Sequence, residues 1–541
     1  MAWSTSRWPA ATTTAQAKAA TNSLTRSLAR ELVPDERVNA VLPGPVDAPM
    51  WRDVGASDEE QPGTSRADLL TGTPYGPVRE DDGVARLLDP DFAGWIIGAA
   101  TRGAWPHDFI RLAAVSRPDS DRAADHELGT ETMSHPPIAT AIPSSSLHEI
   151  FRAADARALA TGSPVTRLHV GEPYFTSPPE VAEAIAEAQR AGRTSYTDVE
   201  GLPELRRALT AKLDRENGID ASISRIFVTP GSCQGLQALL LSLAEPGTEI
   251  LLPELHWPIH VQQSLLAGLR PVFYSLDDRY FPDLESIAER SGPNSRILLV
   301  NSPANPTGAV LDADRIEGLL TLARDRGWQV ISDEAYEHFV YEGDHLSLAA
   351  SERHLPVEKR IVHSVFTFSK SLAMTGYRLG YVVPATDEAA AGMRVVQEAG
   401  IIAPPTPVQY GGIAALQMPD VAAANRKLVQ QNRDTVLPAL RDAGLIRELP
   451  PGGWYTMADI SSTGLGAEAF SAQLLAERSV AVVPGSGFGL RPQLDDRGAL
   501  VAMDTDSHAD NLVRIAFCVN PEVLKSGVDE LLAFVDERKA R

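Results

Sequence analysis

The chain has 541 residues, of which 43% are hydrophobic and 22% are charged, so its composition is that of a folded chain with room for two to four domains. Its net charge of −22 disfavours a nucleic-acid surface, because the chain as a whole repels phosphate. Cys233 and Cys518 are the only cysteines, which excludes a disulfide framework or a CxxC metal site and fits a reducing compartment.

Targeting and membrane signals are also lacking in the sequence. The apolar runs stay well short of the about 20 residues that span a bilayer. The start, MAWSTSRWPAATTT, has no apolar core of the kind found in secretory signals. We therefore expect a cytoplasmic protein with no membrane partner, no nucleic-acid partner and no metal.

The sequence of residues 1–115 indicates an incomplete α/β segment. A helix, a strand and a Pro-Gly-Pro turn are predicted by the stretch TTTAQAKAATNSLTRSLARELVPDERVNAVLPGPVDAPMW. It resembles the C-terminal part of short-chain dehydrogenases, in which a tyrosine precedes a lysine by four positions. Lys18 is in place, but Thr14 stands at the tyrosine position and no glycine-rich dinucleotide loop comes before it. We expect a catalytically inactive, truncated Rossmann-like remnant, which tight binding of a nicotinamide cofactor by residues 1–132 would contradict.

A polar, acidic stretch with no apolar periodicity, residues 116–137, reads as a linker. After it we predict an N-terminal arm over residues 138–175, a large domain over 176–424 and a smaller α+β domain over 425–541. The last boundary is placed where the sequence pattern changes to one that predicts longer helices mixed with strands that need not be parallel.

The large domain is predicted to be α/β, with a mainly parallel sheet of about seven strands between helices. Short apolar runs alternate with amphipathic helical text, and near-continuous apolar strands are typical of a parallel sheet buried on both faces. The predicted strands are IFVTPG, EILLPELHW, RPVFYSL, RILLVNSP, WQVISDEAY, IVHSVFTF and YRLGYVV. Ligands on such sheets bind beyond the carboxyl ends of strands, and the unusual residues of this chain fall there.

Three features at these strand ends suggest chemistry. Lys370 lies between an apolar strand and a glycine-punctuated strand, which favours a cleft over an exposed surface, and a lysine amine in a cleft can form a Schiff base with an aldehyde. Asp333 and Tyr336, in DEAY, follow another strand. Gly231, with Ser232 and Cys233, opens a helix directly after a strand, where backbone N–H groups and the helix dipole bind phosphate.

Together these segments resemble the class I/II aminotransferases, the fold type I enzymes that use pyridoxal 5′-phosphate. The resemblance runs from Ile142 to Val535, in order and at ordinary spacing. Its nine motifs are GEPYFTSP, SYTDVEGLPELRRAL, TPGSCQGL, NSPANPTG, DEAY, SKSLAMTGYRLGY, LPPGGWYTM, VPGSGFG and VRIAF.

The resemblance assigns the catalytic roles. Lys370 matches the lysine that holds the cofactor as an internal aldimine and then moves a proton between the substrate Cα and the cofactor. Asp333 matches the carboxylate that keeps the pyridine nitrogen protonated, although a strand-end cap is the simpler alternative. Tyr336 and Asn305 match the pair that hydrogen-bonds the phenolate oxygen; Asn305 also suits a plain Asn-Pro-Thr-Gly turn.

The resemblance also assigns the cofactor's phosphate and ring. Ser232 and Cys233 lie at the helix start, Arg378 matches the phosphate-binding arginine, and Thr367 or Ser369 adds a hydroxyl. Trp257 matches the aromatic that stacks on the pyridine ring, with a core position as the alternative. Tyr196 matches a tyrosine that reaches the phosphate from the neighbouring subunit, which implies a homodimer with shared sites; otherwise it would be a core aromatic.

The resemblance assigns substrate binding to Gly171 and Arg514, and to Asn305 in addition to its role at the cofactor. Arg514, in VRIAF, resembles the arginine that takes the substrate α-carboxylate in a two-pronged salt bridge. Gly171 would let the same carboxylate approach the backbone.

Cys233 departs from relatives that act on acidic amino acids, since those often place a cation near this part of the site. A small neutral thiol argues against a dicarboxylic substrate, although cysteine is also an ordinary helix residue. This inference would be contradicted if aspartate or glutamate proved to be the fastest amino donor by a wide margin.

The predicted function is transfer of an amino group from an amino acid to a 2-oxo acid through the pyridoxamine form of the cofactor. C–S lyases, cyclases and oxidases share the fold and most of these residues, so another reaction with the same cofactor stays open. A transcription regulator with an aminotransferase-like sensor domain would carry a basic N-terminal DNA-binding domain. Residues 1–132 instead hold 13 basic against 20 acidic side chains.

Overall fold

The computed structural model describes residues 138–540. The predicted segment 1–115 and the predicted linker 116–137 lie outside the described residues. In the described part the α/β architecture is confirmed: a seven-stranded sheet lies between helices, and a smaller region of helices and antiparallel strands follows.

Thirteen α-helices occur in the described part, numbered in chain order: α1 Ile138–Ala141, α2 Ser146–Thr161, α3 Pro179–Arg190, α4 Pro203–Lys212, α5 Gly231–Leu243, α6 Pro258–Leu266, α7 Leu284–Arg290, α8 Ala313–Arg326, α9 Asp387–Ile401, α10 Thr406–Leu416, α11 Pro419–Asp442, α12 Ala467–Arg478 and α13 Pro521–Lys539. A π-helical turn, Leu213–Asn217, continues α4. Short 3₁₀ turns cover Ile223–Arg225, Leu348–Glu352, Val357–Lys359, Ser461–Thr463, Gly485–Phe488 and Ala509–Asn511.

Fourteen strands are numbered in the same way: β1 Thr166–Arg167, β2 Phe227–Thr229, β3 Glu249–Pro253, β4 Arg270–Tyr274, β5 Ser295–Asn301, β6 Gln329–Asp333, β7 Val362–Thr367, β8 Gly380–Val383, β9 Tyr455–Asp459, β10 Val480–Ala481, β11 Val483–Pro484, β12 Leu490–Leu494, β13 Leu500–Thr505 and β14 Leu512–Ala516.

The large sheet has the strand order β2-β8-β7-β6-β5-β3-β4. Strands β3 to β7 pair in parallel, whereas β8 runs antiparallel between β7 and β2. Helices cover both faces, so central strands such as β7 are buried along their whole length, which explains their continuous apolar text. In the register, Asn301 pairs with Asp333 and Asp333 with Val365, so the carboxyl ends of three strands lie side by side.

The smaller region is built on the antiparallel sheet β11-β14-β9. Arg514 lies on its central strand, opposite Val483 and Met457. A buried cluster that includes Trp454, Phe470 and Phe534 packs against this sheet. The N-terminal arm contributes β1, which pairs in parallel with β10 in a separate two-stranded sheet. Helix α11 is continuous through residues 424 and 425, where the domain boundary was predicted.

Within residues 138–540 no helix is long and apolar enough to cross a membrane. The same residues contain no group of three His, Cys, Asp or Glu side chains placed to hold a metal ion. Both cysteines are free thiols.

Candidate active site

A cavity of about 370 Å³ opens beyond the carboxyl ends of the large sheet. Of the thirteen site residues predicted from the sequence, twelve line it: Gly171, Ser232, Cys233, Trp257, Asn305, Asp333, Tyr336, Thr367, Ser369, Lys370, Arg378 and Arg514. Tyr196 does not line the cavity of its own chain. Its side chain is 81% exposed, which is unusual for an aromatic ring and rules out the core position.

One end of the cavity is formed by the first turn of α5. The preceding residue, Pro230, offers no side-chain hydrogen bond to this helix, so the first-turn N–H groups are not capped. Gly231 has φ +80°, and a Cβ at this position would lie 2.5 Å from Arg378 Nη2. Only glycine allows the backbone and the guanidinium to approach so closely. This end therefore presents backbone N–H groups and a cation together, as an anion site requires.

Arg378 is held at this end by its own turn. Its Nη1 donates to the carbonyl of Thr375 at 2.9 Å and lies 3.5 Å from Ser369 Oγ. Thr367 Oγ1 in turn donates to Ser369 Oγ at 2.9 Å. No acidic side chain of the described residues pairs with this guanidinium, so its charge is left for an anion in the cavity.

Asp333 ends strand β6 and is 5% exposed. Its Oδ2 lies 3.0 Å from Nε2 of His260, and its Oδ1 accepts from the Ala335 N–H at 3.2 Å. An ionised carboxylate can only accept, so His260 Nε2 donates this bond. The imidazole thereby fixes the direction of the carboxylate, whose remaining acceptor capacity faces the cavity.

Lys370 follows β7 through a short turn. Its Nζ donates to the carbonyl of Gly171 at 3.2 Å and lies 5.7 Å from the ring centroid of Tyr336 and 5.2 Å from that of Trp454. No carboxylate in the described part of the chain pairs with it. The amine is therefore held by one weak partner and two ring faces, an arrangement from which it can move.

Tyr336 and Tyr455 form a buried hydroxyl pair. The Tyr336 hydroxyl donates to the Tyr455 hydroxyl at 3.1 Å, with the rings near perpendicular. Burial, followed by the neighbouring Tyr455, raises the pKa of Tyr336 well above its usual value. The Tyr336 hydroxyl stays protonated at neutral pH and can donate a hydrogen bond.

Arg514 is a buried cation with no anionic partner among the described residues. It is 2% exposed, and its Nη1 and Nη2 donate to Asn305 Oδ1 at 3.0 Å and to the His169 carbonyl at 2.9 Å. Its Cζ lies 4.0 Å from the ring centroid of Tyr455. Burial lowers the pKa of Arg514, which reflects the cost of this uncompensated charge. A ligand carboxylate would supply the missing partner.

Gly171 faces the same group of side chains. A Cβ at this position would lie 1.9 Å from the Tyr455 hydroxyl, so any side chain here would displace that ring. The absence of a side chain leaves space next to Arg514. Asn305 contributes to the same corner: because Arg514 takes its Oδ1, its amide nitrogen is left to donate to a ligand.

Trp257 and Cys233 complete the predicted lining. Trp257 precedes helix α6, and its ring is perpendicular to that of His260 at 5.3 Å. Cys233 Sγ accepts from Gln263 Nε2 at 3.3 Å. Burial raises the pKa of the Cys233 thiol, so the side chain is neutral at pH 7.

The sequence reasoning missed several cavity residues. His260 carried a usable signal, since it lies three positions after Trp257 at a helix start and so on the same face. Tyr455 lay inside a recognised motif, LPPGGWYTM, without an assigned role. Leu147, His148 and Phe151 of helix α2 carried no signal at all, because nothing in their spacing tells a cavity wall from an ordinary packing face.

Comparison with known families agrees with this geometry. Residues 163–531 match the family described as "Aminotransferase class I and II", and residues 1–96 match the family described as "Enoyl-(Acyl carrier protein) reductase". The chain is 34% identical to an aspartate/prephenate aminotransferase of Thermus thermophilus, over 60% of this chain and 84% of the relative. It is 32% identical to an aspartate aminotransferase of Pyrococcus horikoshii, over 64% of this chain and 88% of the relative.

Solved structures of similar proteins cover the same part of the chain. Thermus thermophilus aspartate aminotransferase with maleate aligns with a TM-score of 0.65 and 29% identity, over 73% of this chain and 98% of that structure. The aromatic aminotransferase of Pyrococcus horikoshii aligns with a TM-score of 0.63 and 32% identity, over 72% of this chain and all of that structure, 100%.

Proposed function

The chain belongs to the class I and II aminotransferases. On that premise we propose that the cavity is the active site in which an amino group is transferred from an amino acid to a 2-oxo acid, with the residue roles given below. Amino-group transfer with pyridoxal 5′-phosphate follows from the family. The observation that carries the proposed roles is the convergence of Lys370, Asp333 and the uncompensated Arg514 on one cavity.

The residues present fit the cofactor. Its phosphate suits the uncapped first turn of α5 with Arg378 and the hydroxyls of Thr367 and Ser369. The close approach of Gly231 to Arg378, which a Cβ would fill, is what a phosphate site of this kind needs. Asp333 suits a protonated pyridine nitrogen, and the face of Trp257 suits the aromatic ring.

When bound, pyridoxal 5′-phosphate supplies an aldehyde that takes up an amine and a ring that accepts the electron pair of a broken Cα–H bond. Lys370 would provide the amine that holds the aldehyde, and the same amine would move the proton at the substrate Cα. Asp333 would keep a proton on the ring nitrogen. His260, hydrogen-bonded to Asp333, holds that carboxylate in direction.

The phenolate oxygen and the substrate have separate partners. With the cofactor bound, the Tyr336 hydroxyl, turned from Tyr455, and the Asn305 amide nitrogen would donate to the phenolate oxygen and so favour its anionic form. Arg514 takes the α-carboxylate through its two terminal nitrogens, and Gly171 leaves room for that carboxylate beside the backbone. The substrate is thus oriented with its Cα–H bond within reach of Lys370.

A homodimer with shared active sites is part of the proposal. It is supported by the exposed ring of Tyr196, which suits a residue that completes the phosphate site of a second copy. Light scattering of the holoenzyme should give twice the chain mass. Tyr196→Phe should weaken phosphate-cofactor binding about tenfold, the usual loss for a hydrogen bond to a charged group. A monomeric holoenzyme would contradict this part.

A cytoplasmic location is also proposed. It is supported by the two cysteines, both of which are free thiols, as is typical of a reducing compartment.

Both acidic and aromatic substrates occur among the relatives, which are named for aspartate, for aspartate and prephenate, and for aromatic substrates. The proposed function therefore leaves the substrate side chain to be decided by the cavity of this chain.

The test is a half-reaction. Single amino acids are added without a 2-oxo acid to the purified holoenzyme while its visible absorption is followed. We expect the yellow colour to fade and to return when a 2-oxo acid is added. Release of ammonia, pyruvate or peroxide instead would move the function to a lyase or an oxidase, and a band that no amino acid changes would refute amino-group transfer.

A further inference from the structure

We propose that the amino-acid substrate carries a bulky apolar side chain, aromatic or branched aliphatic, and no second carboxylate. This inference rests on the proposed function. It is carried by the charges that line the cavity and by the wall that lies beside Arg514.

The cations that this chain's described residues place in the cavity all have proposed roles. Among the described lining residues the lysine and arginine side chains are Lys370, Arg378 and Arg514. Lys370 holds the aldehyde, Arg378 lies at the phosphate end, and Arg514 takes the α-carboxylate. A second carboxylate on the substrate would be removed from water without a further cation from the described residues of this chain to compensate it, which is strongly unfavourable.

The wall beside Arg514 consists of Leu147, His148, Phe151, His169 and Val170. It begins at the carboxylate site itself, since the His169 carbonyl accepts from Arg514 Nη2 at 2.9 Å. The His169 ring packs edge-on against the Phe151 ring, with 5.7 Å between centroids. A side chain leaving the substrate Cα therefore reaches this wall within a few bonds of the bound carboxylate.

Helix α2 supplies the apolar part of the wall. Leu147 and Phe151 are four residues apart and so share one face of the helix. The residue Phe151 is 44% exposed, and an apolar substrate side chain would cover part of its surface. The helix therefore offers contact area to an apolar group and no charge to an acidic one.

Neither histidine changes this balance. Burial, with the nearby Arg167 and Arg514, lowers the pKa of His169 to about 4, so its ring is neutral at pH 7. His148 is exposed on the outer turn of α2, where water screens its interactions.

The other charges near the wall oppose an acidic substrate or are already paired. Arg167 lies 5.4 Å from the Phe151 ring centroid but pairs with Asp155 at 2.5 Å. At the rim, Thr375 donates to Glu172 Oε1 at 2.6 Å, which fixes a carboxylate near the opening. Cys233 adds only a neutral thiol. An anionic side chain would thus meet a carboxylate near the rim and, among the described lining residues of this chain, no cation without a proposed role.

The first test measures binding rather than turnover. Calorimetry on the holoenzyme compares 3-phenylpropanoate, a monocarboxylate with an apolar tail, with succinate, which has two carboxylates. We expect 3-phenylpropanoate to bind at least about 30-fold more tightly, as burial of an apolar group against removal of an uncompensated charge requires. Tighter binding of succinate would overturn the proposal.

Two variants locate the effect. Phe151→Ala should weaken binding of 3-phenylpropanoate about tenfold and leave succinate unchanged, and Phe151→Leu should lose less. Leu159→Ala is the matched control, because Leu159 lies on the same helix and is 88% exposed. An unchanged affinity of Phe151→Ala for 3-phenylpropanoate would refute the role of this wall.

A second test separates this inference from the proposed function. In the half-reaction, phenylalanine and leucine should convert the holoenzyme at least about 30-fold faster than aspartate and glutamate. Faster conversion by aspartate or glutamate would overturn the substrate class and leave amino-group transfer intact. Conversion by no amino acid, alanine included, would overturn the proposed function and this inference with it.

Discussion

The two sides of the cavity are built from different kinds of structure. The cofactor side uses the ends of neighbouring parallel strands and the start of α5, so that Asp333 and Thr367 are positioned by the register of β6 and β7. The substrate side combines helix α2, the segment around Gly171 and strand β14, which lie far apart in the sequence. One side is fixed by a sheet and the other by the packing of separate elements.

This difference separates chemistry from specificity. The position of a side chain that is set by sheet register can change only if the strand pairing changes. A shift of one residue would turn every side chain of the strand to the other face. A residue on the surface of α2 can be replaced without disturbing the sheet. We therefore expect reaction type to depend on the cofactor side and substrate choice on the substrate side.

The largest effect should come from the cofactor side. Lys370→Ala removes the amine that holds the aldehyde and moves the Cα proton, so amino-group transfer should fall at least about 1,000-fold. The exposed Lys359 provides a matched control, and Lys359→Ala should keep full activity. Steady-state assays of both variants check this, and substantial activity in Lys370→Ala would remove the lysine from the chemistry.

Arg514 tests the substrate side. Arg514→Met leaves the substrate α-carboxylate without a partner, and loss of one member of a buried charge pair costs about 2–5 kcal/mol, so kcat/KM should fall about 30- to 5,000-fold. The melting temperature should stay the same or rise, because the free protein no longer buries an uncompensated cation. A strong fall in melting temperature with unchanged KM would mean that Arg514 serves the fold instead.

His260 should have a smaller effect on the cofactor side. His260→Ala leaves Asp333 without its imidazole partner, and we expect kcat to fall about tenfold with little change in KM. His260→Gln, which keeps a donor, should recover part of the loss. The pH dependence of the visible band should shift in His260→Ala; an unshifted profile would contradict a positioning role.

The smallest effect concerns stability. Burial lowers the pKa of His256 and of His363 to about 3 from the usual 6.5. Above pH 6.5 both histidines are neutral in the folded and unfolded chain and contribute nothing. Below it the unfolded chain binds protons that the folded chain does not, so each histidine should lower stability by about 1.4 kcal/mol per pH unit down to its folded pKa.

Denaturant unfolding at pH 7 and at pH 5 measures this loss. His363→Gln should reduce the difference between the two pH values by about 2 kcal/mol, since the histidine titrates over about 1.5 units in that range. An undiminished difference would show that the sheet histidine does not set the acid sensitivity. His169, on the substrate wall, should contribute a similar loss between pH 7 and pH 5, because its pKa of about 4 also lies below this range, and a smaller loss than His363 only below about pH 4.

The sequence predicted the cofactor side better than the substrate side, for a physical reason. Continuous apolar runs such as IVHSVFTF identify buried strands, and polar residues directly after parallel strands lie at the same edge of the sheet. This pattern predicted that Asp333 and Lys370 lie close together. Arg514 could also be predicted from the sequence, because an arginine among so many apolar neighbours requires a partner for its charge.

The wall of α2 could not be predicted in this way. Leu147 and Phe151 have the spacing of any packing face, and only tertiary structure shows that part of this face is exposed beside a carboxylate site. The hydrogen bond from His260 to Asp333 joins two elements 73 residues apart, which no local pattern reveals. The residues 1–137 lie outside the described part, so the inactive remnant stays a prediction.

The central claim is that Lys370 holds the cofactor in this cavity, and one measurement addresses it directly. The holoenzyme is reduced with borohydride, which makes the lysine–cofactor bond permanent, and is then digested and mapped by mass spectrometry. The account predicts the reduced pyridoxyl group on Lys370, with exposed lysines such as Lys359 unmodified. A modified lysine elsewhere, or none, would contradict it.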